Sequence, residues 1–421
     1  MGDKIRVLSV CTSDSSGGAA RAAYRIHLAV QEYGIESRMF VKDKGTKDDR
    51  VIPLNEFLPQ NALYRVFDWV RNKVKNKWQH YQWGKYPKKG PYFMSDLRST
   101  DIGGALQKMD YDILHLHWVN LRFLPLEQLP KDKPIVWTLH DSWPFCGVCH
   151  LPMECRGYQL ECGCCPALGS QDKHDLSYKV WKRKAEIFKQ LDLHIVAPSR
   201  WMADCARSSS LFGECDIRVI PNCIDADVFC PGDRNEACMQ LHLDPEKHFI
   251  LFGAMNAVQD KNKGFDYLIS ALNGIGEELA GDTELVVLGT NDSLPETIGG
   301  LRVRSLGLLR SVNEIVSAYR VARVTVVPSL SENLSCTIME SMACGTPVVA
   351  FDIGGNRDLV DHQVNGYLAG EREEKDLAAG IRWCMDNINL SEITRHKVLS
   401  CFTPEKIGSK YADLYRSLKK S

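Results

Sequence analysis

The sequence predicts an α/β protein of two units, each a parallel sheet covered by helices on both faces, and three observations predict it. Ten short runs rich in Val and Ile recur along the chain, with helix-like segments between many of them. Such runs bury on both faces, which a parallel sheet between helix layers provides. The length of 421 residues suits two domains. A composition of 44% hydrophobic and 25% charged residues supports a large core without covalent staples.

The first set of predicted strands lies at 5–10, 38–41, 113–117, 135–139 and 194–198. The second lies at 218–221, 249–253, 285–288, 324–328 and 348–351. The first domain is expected over 1–200, an interdomain segment over 201–224 and the second domain over 225–400. The tail, 401–421, carries Ile407, Tyr411, Leu414, Tyr415 and Leu418 on one helical face and is expected to pack back toward the first domain.

A formal net charge of −1 gives no global electrostatic case for nucleic-acid binding. The opening MGDKIRVLSV lacks the long apolar core of a signal peptide, and no run of about 18 apolar residues exists. The expected location is the cytoplasm, and sixteen cysteines there are free thiols or metal ligands. Residues 62–89 depart from the pattern, with eight Lys/Arg against the single acid Asp68. Leu63, Val66, Phe67, Val70, Val74, Trp78 and Tyr81 fall there at helical spacing, and Trp69 and Trp83 add amphipathic rings. A basic, aromatic, amphipathic helix suits an anionic membrane surface at the inner membrane face. The alternative is an insertion whose apolar stripe packs on the first domain.

The chemistry is densest in PSLSENLSCTIMESMACGTPVVA at 328–350. A strand ends at Pro328, a loop carries Glu332, and a helix starting near Ser335 holds Glu340. That helix begins at the carboxyl end of a strand, where open α/β sheets bind ligands. Its free N–H groups and positive dipole end attract a diphosphate. Glu332 can accept hydrogen bonds from sugar hydroxyls and Glu340 from a ribose diol, because carboxylates only accept. Near the N-terminus Gly17-Gly18 separates the first strand from an Ala-rich helix, as a ligand-approaching loop or a plain tight turn. His140 ends another strand, and Lys263 sits in DKNKG at 260–264 after a third. His115 and His117 read as structural, as does the Asp225-Ala226-Asp227 triplet.

With these residues the chain resembles the family 4 glycosyltransferases, a retaining group of the GT-B fold with two Rossmann-like domains facing a cleft. The resemblance covers nearly the whole chain. It is carried by the Glu332/Glu340 pair, ACGTPVV at 343–349, Gly354-Gly355 with Asp358, Asn365-Gly366 and PNCID at 221–225. WTLHDSWPF at 137–145 with its trailing cysteines is most similar to the capsular and exopolysaccharide branch, such as colanic acid transferases.

The resemblance implies transfer of a sugar from a UDP- or GDP-sugar to a growing, lipid-linked glycan, with retention and without a catalytic metal. It implies donor contacts from Gly17, Gly18, Lys263, Thr337 and Glu340. Glu332 would hold the sugar and His140 would lie near the anomeric centre. The family often carries an Arg a few positions before the lysine; 254–257 reads Ala-Met-Asn-Ala, leaving Lys261 or Arg21 to supply the second cation. In the cysteine-rich loop, 146–165, Cys149, Cys155, Cys162 and Cys165 are the candidate ligands of a structural zinc, with free thiols as the alternative. The rival functions are a nucleotide-sugar epimerase and a non-catalytic sugar-nucleotide-binding protein.

Overall fold

A computed structural model describes residues 4–59, 61–88, 102, 104–253, 256, 258–309 and 311–419. The chain forms two compact units, one comprising Met1–Pro221 with Ile407–Ser421 and the other Asn222–Lys406.

The first unit holds strands β1 (Ile5–Ser13), β2 (Ile35–Asp43), β3 (Val51–Pro53), β4 (Ile113–Leu116), β5 (Ile135–Thr138), β6 (Leu193–Ala197) and β7 (Asp216–Val219). They form one sheet in the order β3-β2-β1-β4-β5-β6-β7, with every neighbouring pair parallel. The strand order reverses between β1 and β4, so a ligand-accepting crevice opens at their carboxyl ends. The core beneath is aromatic: Trp137, Trp143, Phe145, Phe188 and Phe212 are buried together.

The second unit holds β8 (His248–Gly253), β9 (Thr283–Leu288), β10 (Thr297–Ile298), β11 (Leu301–Gly307), β12 (Val324–Val327), β13 (Val348–Phe351) and β14 (Gly366–Ala369). Their order is β10-β11-β9-β8-β12-β13-β14. All pairs are parallel except β10 with β11. Here the switch point lies between β8 and β12.

Two sequence expectations need correction. The 218–221 run was grouped with the second set, but β7 pairs with β6 at the edge of the first sheet. Its Asp216 and Arg218 suit an exposed edge strand. With the helix Arg200–Arg207, it makes 201–221 part of the first unit instead of a separate segment. The short strands β3, β10 and β14 and the polar β11 carry no apolar run long enough to be read. In β11, Arg302 and Arg304 alternate with Leu301 and Val303, as expected of a half-exposed strand near an edge.

The terminal helix Pro404–Lys419 completes the first unit. Ile407, Tyr411, Leu414 and Tyr415 are buried along its inner face. Gly408 lies so close to the Ala29 carbonyl that an added Cβ would push against it.

The basic segment forms the helix Ala62–Gly84. Its apolar stripe is uncovered: Leu63 is 84% exposed, Val66 62%, Phe67 63% and Val74 60%. Its far end is anchored, where Trp83 and Tyr86 pack on Val148, Cys165 and Leu168, and the Tyr86 hydroxyl accepts the Leu176 N–H at 2.8 Å; midway along it, Asn76 accepts from Arg122. Lys89 lies outside the described residues. Among the described residues, no helix is long and apolar enough to cross a membrane.

Candidate functional site

In the second unit the loops after β8 and β12 are laced together at the switch point. Asn262 donates its side-chain N–H to the Ser331 carbonyl at 3.0 Å, and Leu330 N–H donates to the Asn262 carbonyl at 2.8 Å. Gly264, at φ +71, sits against the Pro328 carbonyl oxygen, and an added Cβ would collide with that oxygen. This close approach sets Lys263 beside Glu332: Nζ donates to Oε1 at 2.8 Å. The neighbouring Glu332 carboxylate raises the Lys263 ammonium above its ordinary value, against the opposing effect of burial. Lys263 is therefore a fixed positive charge at neutral pH.

Glu332 is braced from a third loop. The Gly355 N–H donates to its carbonyl at 3.2 Å, and Gly354, at φ +53, leaves no room there for a Cβ. Gly253, Lys263, Ser329, Glu332 and Thr337 line one small recess. Ser335 caps the helix Cys336–Ala343 by accepting the Ile338 N–H, and Thr337 lies in its first turn. The structure thus brings Lys263, Glu332 and Thr337 together. Glu340 stands apart, buried along the same helix, with Oε2 accepting the Tyr319 hydroxyl at 3.2 Å. Residues 254, 255 and 257, where the second cation is missing from the sequence, lie outside the described residues. Lys261 is exposed in the single turn Lys261–Lys263.

In the first unit, Gly17 caps the helix Gly18–Ala29 directly after β1, at φ +89. An added Cβ there would meet no atom, so the backbone angle and not packing favours glycine. No side chain of the N-cap residue Gly17 caps this helix. His140 follows β5, with Nε2 3.1 Å from His117 Nδ1 and the two rings stacked at 5.3 Å. Burial lowers His140 to about 4, so it is a neutral imidazole at pH 7. His115 and His117, expected from the sequence to be structural, support it. His115 Nε2 bonds Thr138 Oγ1 at 2.8 Å, and the His115 ring lies 4.0 Å from that of His117.

Two other groups were not legible as positioning residues. Asp141 accepts from Trp118 Nε1 at 2.7 Å and from the Trp143 N–H at 3.0 Å, holding the turn after His140. Lys184 is buried under that turn and donates to the Trp143, Cys146 and Gly147 carbonyls, its ammonium 3.6 Å from the Trp143 ring centre. A lysine 40 residues downstream gives no sequence signal for this contact. Asp225 Oδ1 accepts the N–H groups of Asp227 and Val228, so it holds a local turn.

The cysteine loop brings the thiols of Cys146, Cys149, Cys162 and Cys165 within electrostatic reach of one another. Cys165 is lowered to about 7 by a hydrogen bond from Cys149, together with the Leu168 and Ala167 N–H groups. Cys162 accepts the Gly147 N–H at 3.2 Å, and burial raises its thiol to about 11. Among the described residues, no three His, Cys, Asp or Glu side chains are arranged to hold a metal ion. Cys149, Cys155, Cys162 and Cys165 remain the proposed ligands of a structural zinc, with free thiols as the alternative.

Comparison with known proteins identifies relatives of the chain. Residues 16–228 match the family described as Glycosyltransferase Family 4, and residues 246–387 match Glycosyl transferases group 1. The chain is 24% identical to the putative colanic acid biosynthesis glycosyl transferase WcaC of Escherichia coli strain K12, over 96% of this chain and 98% of that one. A D-inositol 3-phosphate glycosyltransferase of Nocardiopsis dassonvillei is 35% identical over 39% of this chain, a match spanning only 41% of that relative's length. Among solved structures, sucrose-phosphate synthase from Thermosynechococcus elongatus aligns with TM-score 0.64 at 19% identity over 99% of each chain. HepE of Anabaena, solved with UDP and glucose, aligns with TM-score 0.63 at 17% identity over 98% of this chain and 100% of that one. The fold shared with these structures is GT-B.

Proposed function

The chain belongs to glycosyltransferase family 4, and from that premise we propose that it is a glycosyltransferase that transfers a sugar from a UDP- or GDP-sugar to a lipid-linked glycan with retention of configuration. The observation that carries this reading is the Lys263–Glu332 contact of 2.8 Å at the β8/β12 switch point, beside the start of the helix Cys336–Ala343. A cation, a carboxylate and a helix N-terminus are the complementary groups for a diphosphate joined to a sugar. HepE bound to UDP-glucose supports a nucleotide-sugar donor for this fold.

In the proposed reaction the diphosphate takes Lys263 and the N–H groups around Thr337, while sugar hydroxyls take Glu332. Glu340 serves the ribose. In the first unit, Gly17, Gly18 and the neutral imidazole of His140 are the candidate donor-contacting residues. The acceptor hydroxyl attacks that carbon from the face the diphosphate leaves. The bond from carbon to phosphate oxygen breaks as the new glycosidic bond forms, and the acceptor proton passes to the leaving phosphate. Lys263 balances the charge that develops there, so no metal is needed. The family match favours neither an epimerase nor a non-catalytic binding protein.

The uncovered basic helix supports a membrane-associated acceptor. Lys73 Nζ lies 4.8 Å from the Trp69 ring centre and Lys85 Nζ 4.6 Å from that of Tyr81. An apolar stripe flanked by aromatic–cation pairs suits the boundary between lipid headgroups and acyl chains. This chemistry supports an anionic lipid surface as the partner.

The test is incubation with UDP- and GDP-sugars in EDTA plus membrane extract, with assay of released nucleoside diphosphate and of the product's anomeric configuration. Release that Lys263→Ala and Glu332→Ala abolish, with a retained anomer, is expected. An inverted product or a strict metal requirement would overturn the mechanism.

A further inference from the structure

A second cationic cavity lies in the second unit, at the opposite end of its sheet from Lys263 and Glu332. Arg323 immediately precedes β12 and Pro347 immediately precedes β13, so the cavity opens at the amino-terminal strand ends. It has a volume of about 360 Å³, and its walls include Arg234, Arg320, Arg323, His248, Gly345 and Ser391.

The three arginines share an unusual environment. Arg234 donates to the Pro245 carbonyl at 2.7 Å and to the Lys247 carbonyl. Arg320 donates to the Cys230 carbonyl at 2.8 Å, and Arg323 to the Met385 carbonyl at 3.1 Å. These bonds fix the guanidinium groups but neutralise no charge, and each group keeps N–H donors to spare. Among the described residues, none of the three has a carboxylate within ion-pair distance. Asp386 acts on Arg323 only through space, and Glu392 stands in the first turn of the helix Ser391–Cys401. His248 faces Asp282 at 4.0 Å. Burial lowers Arg323 from its ordinary value, and the neighbouring charge of Arg234 adds to this.

Like charges gathered on a half-buried wall without ion-paired carboxylates repel one another and lose hydration, a cost that a bound anion reduces. The architecture also prepares the space. Gly232 lets the Arg320 guanidinium lie against the main chain, where any Cβ would collide with it. Gly345, at φ +82, likewise leaves room for the Ser391 hydroxyl. The start of the helix Ser391–Cys401 carries no side-chain cap and adds its positive dipole end to the same wall. Ile388 and Leu390 provide an apolar rim.

We propose that this cavity binds a small, multiply charged phosphoryl anion, at a site separate from the one that holds the sugar donor. Planar guanidinium groups with free donors suit phosphoryl oxygens, and the volume admits a diphosphate or a phosphorylated metabolite but no polymer.

Inorganic pyrophosphate, titrated calorimetrically in EDTA, tests this on four forms of the full chain: wild type, Lys263→Ala, Arg323→Gln and Ser391→Asp. Lys263→Ala removes the donor-edge cation. Ser391→Asp keeps all three arginines and supplies an internal carboxylate at a helix start, where an acid is stabilising, so loss of folding does not account for its effect. The expected result is saturable binding below about 1 mM that persists in Lys263→Ala and weakens at least about tenfold in Arg323→Gln and Ser391→Asp. Binding lost in Lys263→Ala, binding unchanged in Ser391→Asp, or no saturation below about 10 mM would each overturn the proposal.

Discussion

The Tyr415 hydroxyl meets His115 Nδ1 at 2.7 Å across 300 residues of sequence, joining the terminal helix to the middle of the first sheet. Tyr411 reaches the same place, its hydroxyl 2.9 Å from Thr138 Oγ1, which also bonds His115. The last helix is therefore structurally part of the first unit, beneath the histidines that support His140.

Tyr415→Phe removes one buried hydrogen bond and strands His115 Nδ1. The expected loss is about 1–3 kcal/mol of unfolding free energy. Urea unfolding followed by tryptophan fluorescence checks it, because Trp137 and Trp143 lie in the first unit's core.

Acid weakens the first unit through its buried histidines. Burial lowers His115 to about 3 and His140 to about 4, and lowers His117 well below its ordinary value. The unfolded chain takes up protons below about pH 6.5 that these imidazoles refuse when folded. Stability from this source is full above about pH 6.5 and falls toward pH 4, by up to about 1.4 kcal/mol per pH unit for each histidine. Thermal melts between pH 4 and 8 should show this slope, and His115→Gln should flatten it.

Gly264→Ala and Gly17→Ala separate two reasons for glycine. Both positions have positive φ, but only at Gly264 would a Cβ collide with the Pro328 carbonyl. Gly17→Ala should cost about 1 kcal/mol. Gly264→Ala should cost about 2 kcal/mol or more and displace Lys263 from Glu332. Melting temperatures rank the two, and donor turnover should fall much further in Gly264→Ala.

Lys263 and Glu332 are expected to act as a unit. Lys263→Met should lower kcat/KM by about 10²–10³ through lost charge stabilisation of the leaving diphosphate. The double variant with Glu332→Gln should lose much less than the product of the single losses. Steady-state kinetics on all three forms check this.

Membrane binding should depend on the uncovered stripe. Phe67→Glu and Val74→Glu alter exposed side chains, so folding should be preserved. Each should weaken co-sedimentation with anionic vesicles about tenfold or more, while the wild type should show little affinity for neutral vesicles.

The sequence by itself determined the α/β class, the two-unit organisation and the local chemistry of each loop. Buried parallel strands require continuous apolar runs, and Gly, Ser and Glu at helix starts act over a few residues. The spacing from Pro328 through Pro347 therefore already specified the strand, the loop and the capped helix. Tertiary structure decided what meets across long separations: Lys263 with Glu332, Lys184 with the turn after His140, Tyr415 with His115, and Arg234 with Arg320 and Arg323. It also left the stripe of the helix Ala62–Gly84 uncovered, although its helical spacing matches that of a buried helix. The physical reason is that strand order sets which loop ends become neighbours, and no local pattern encodes strand order. The edge strand β7 and the half-exposed β11 are hard to read from sequence for a related reason: with one side open to water, they carry charge where a buried strand would carry Val or Ile.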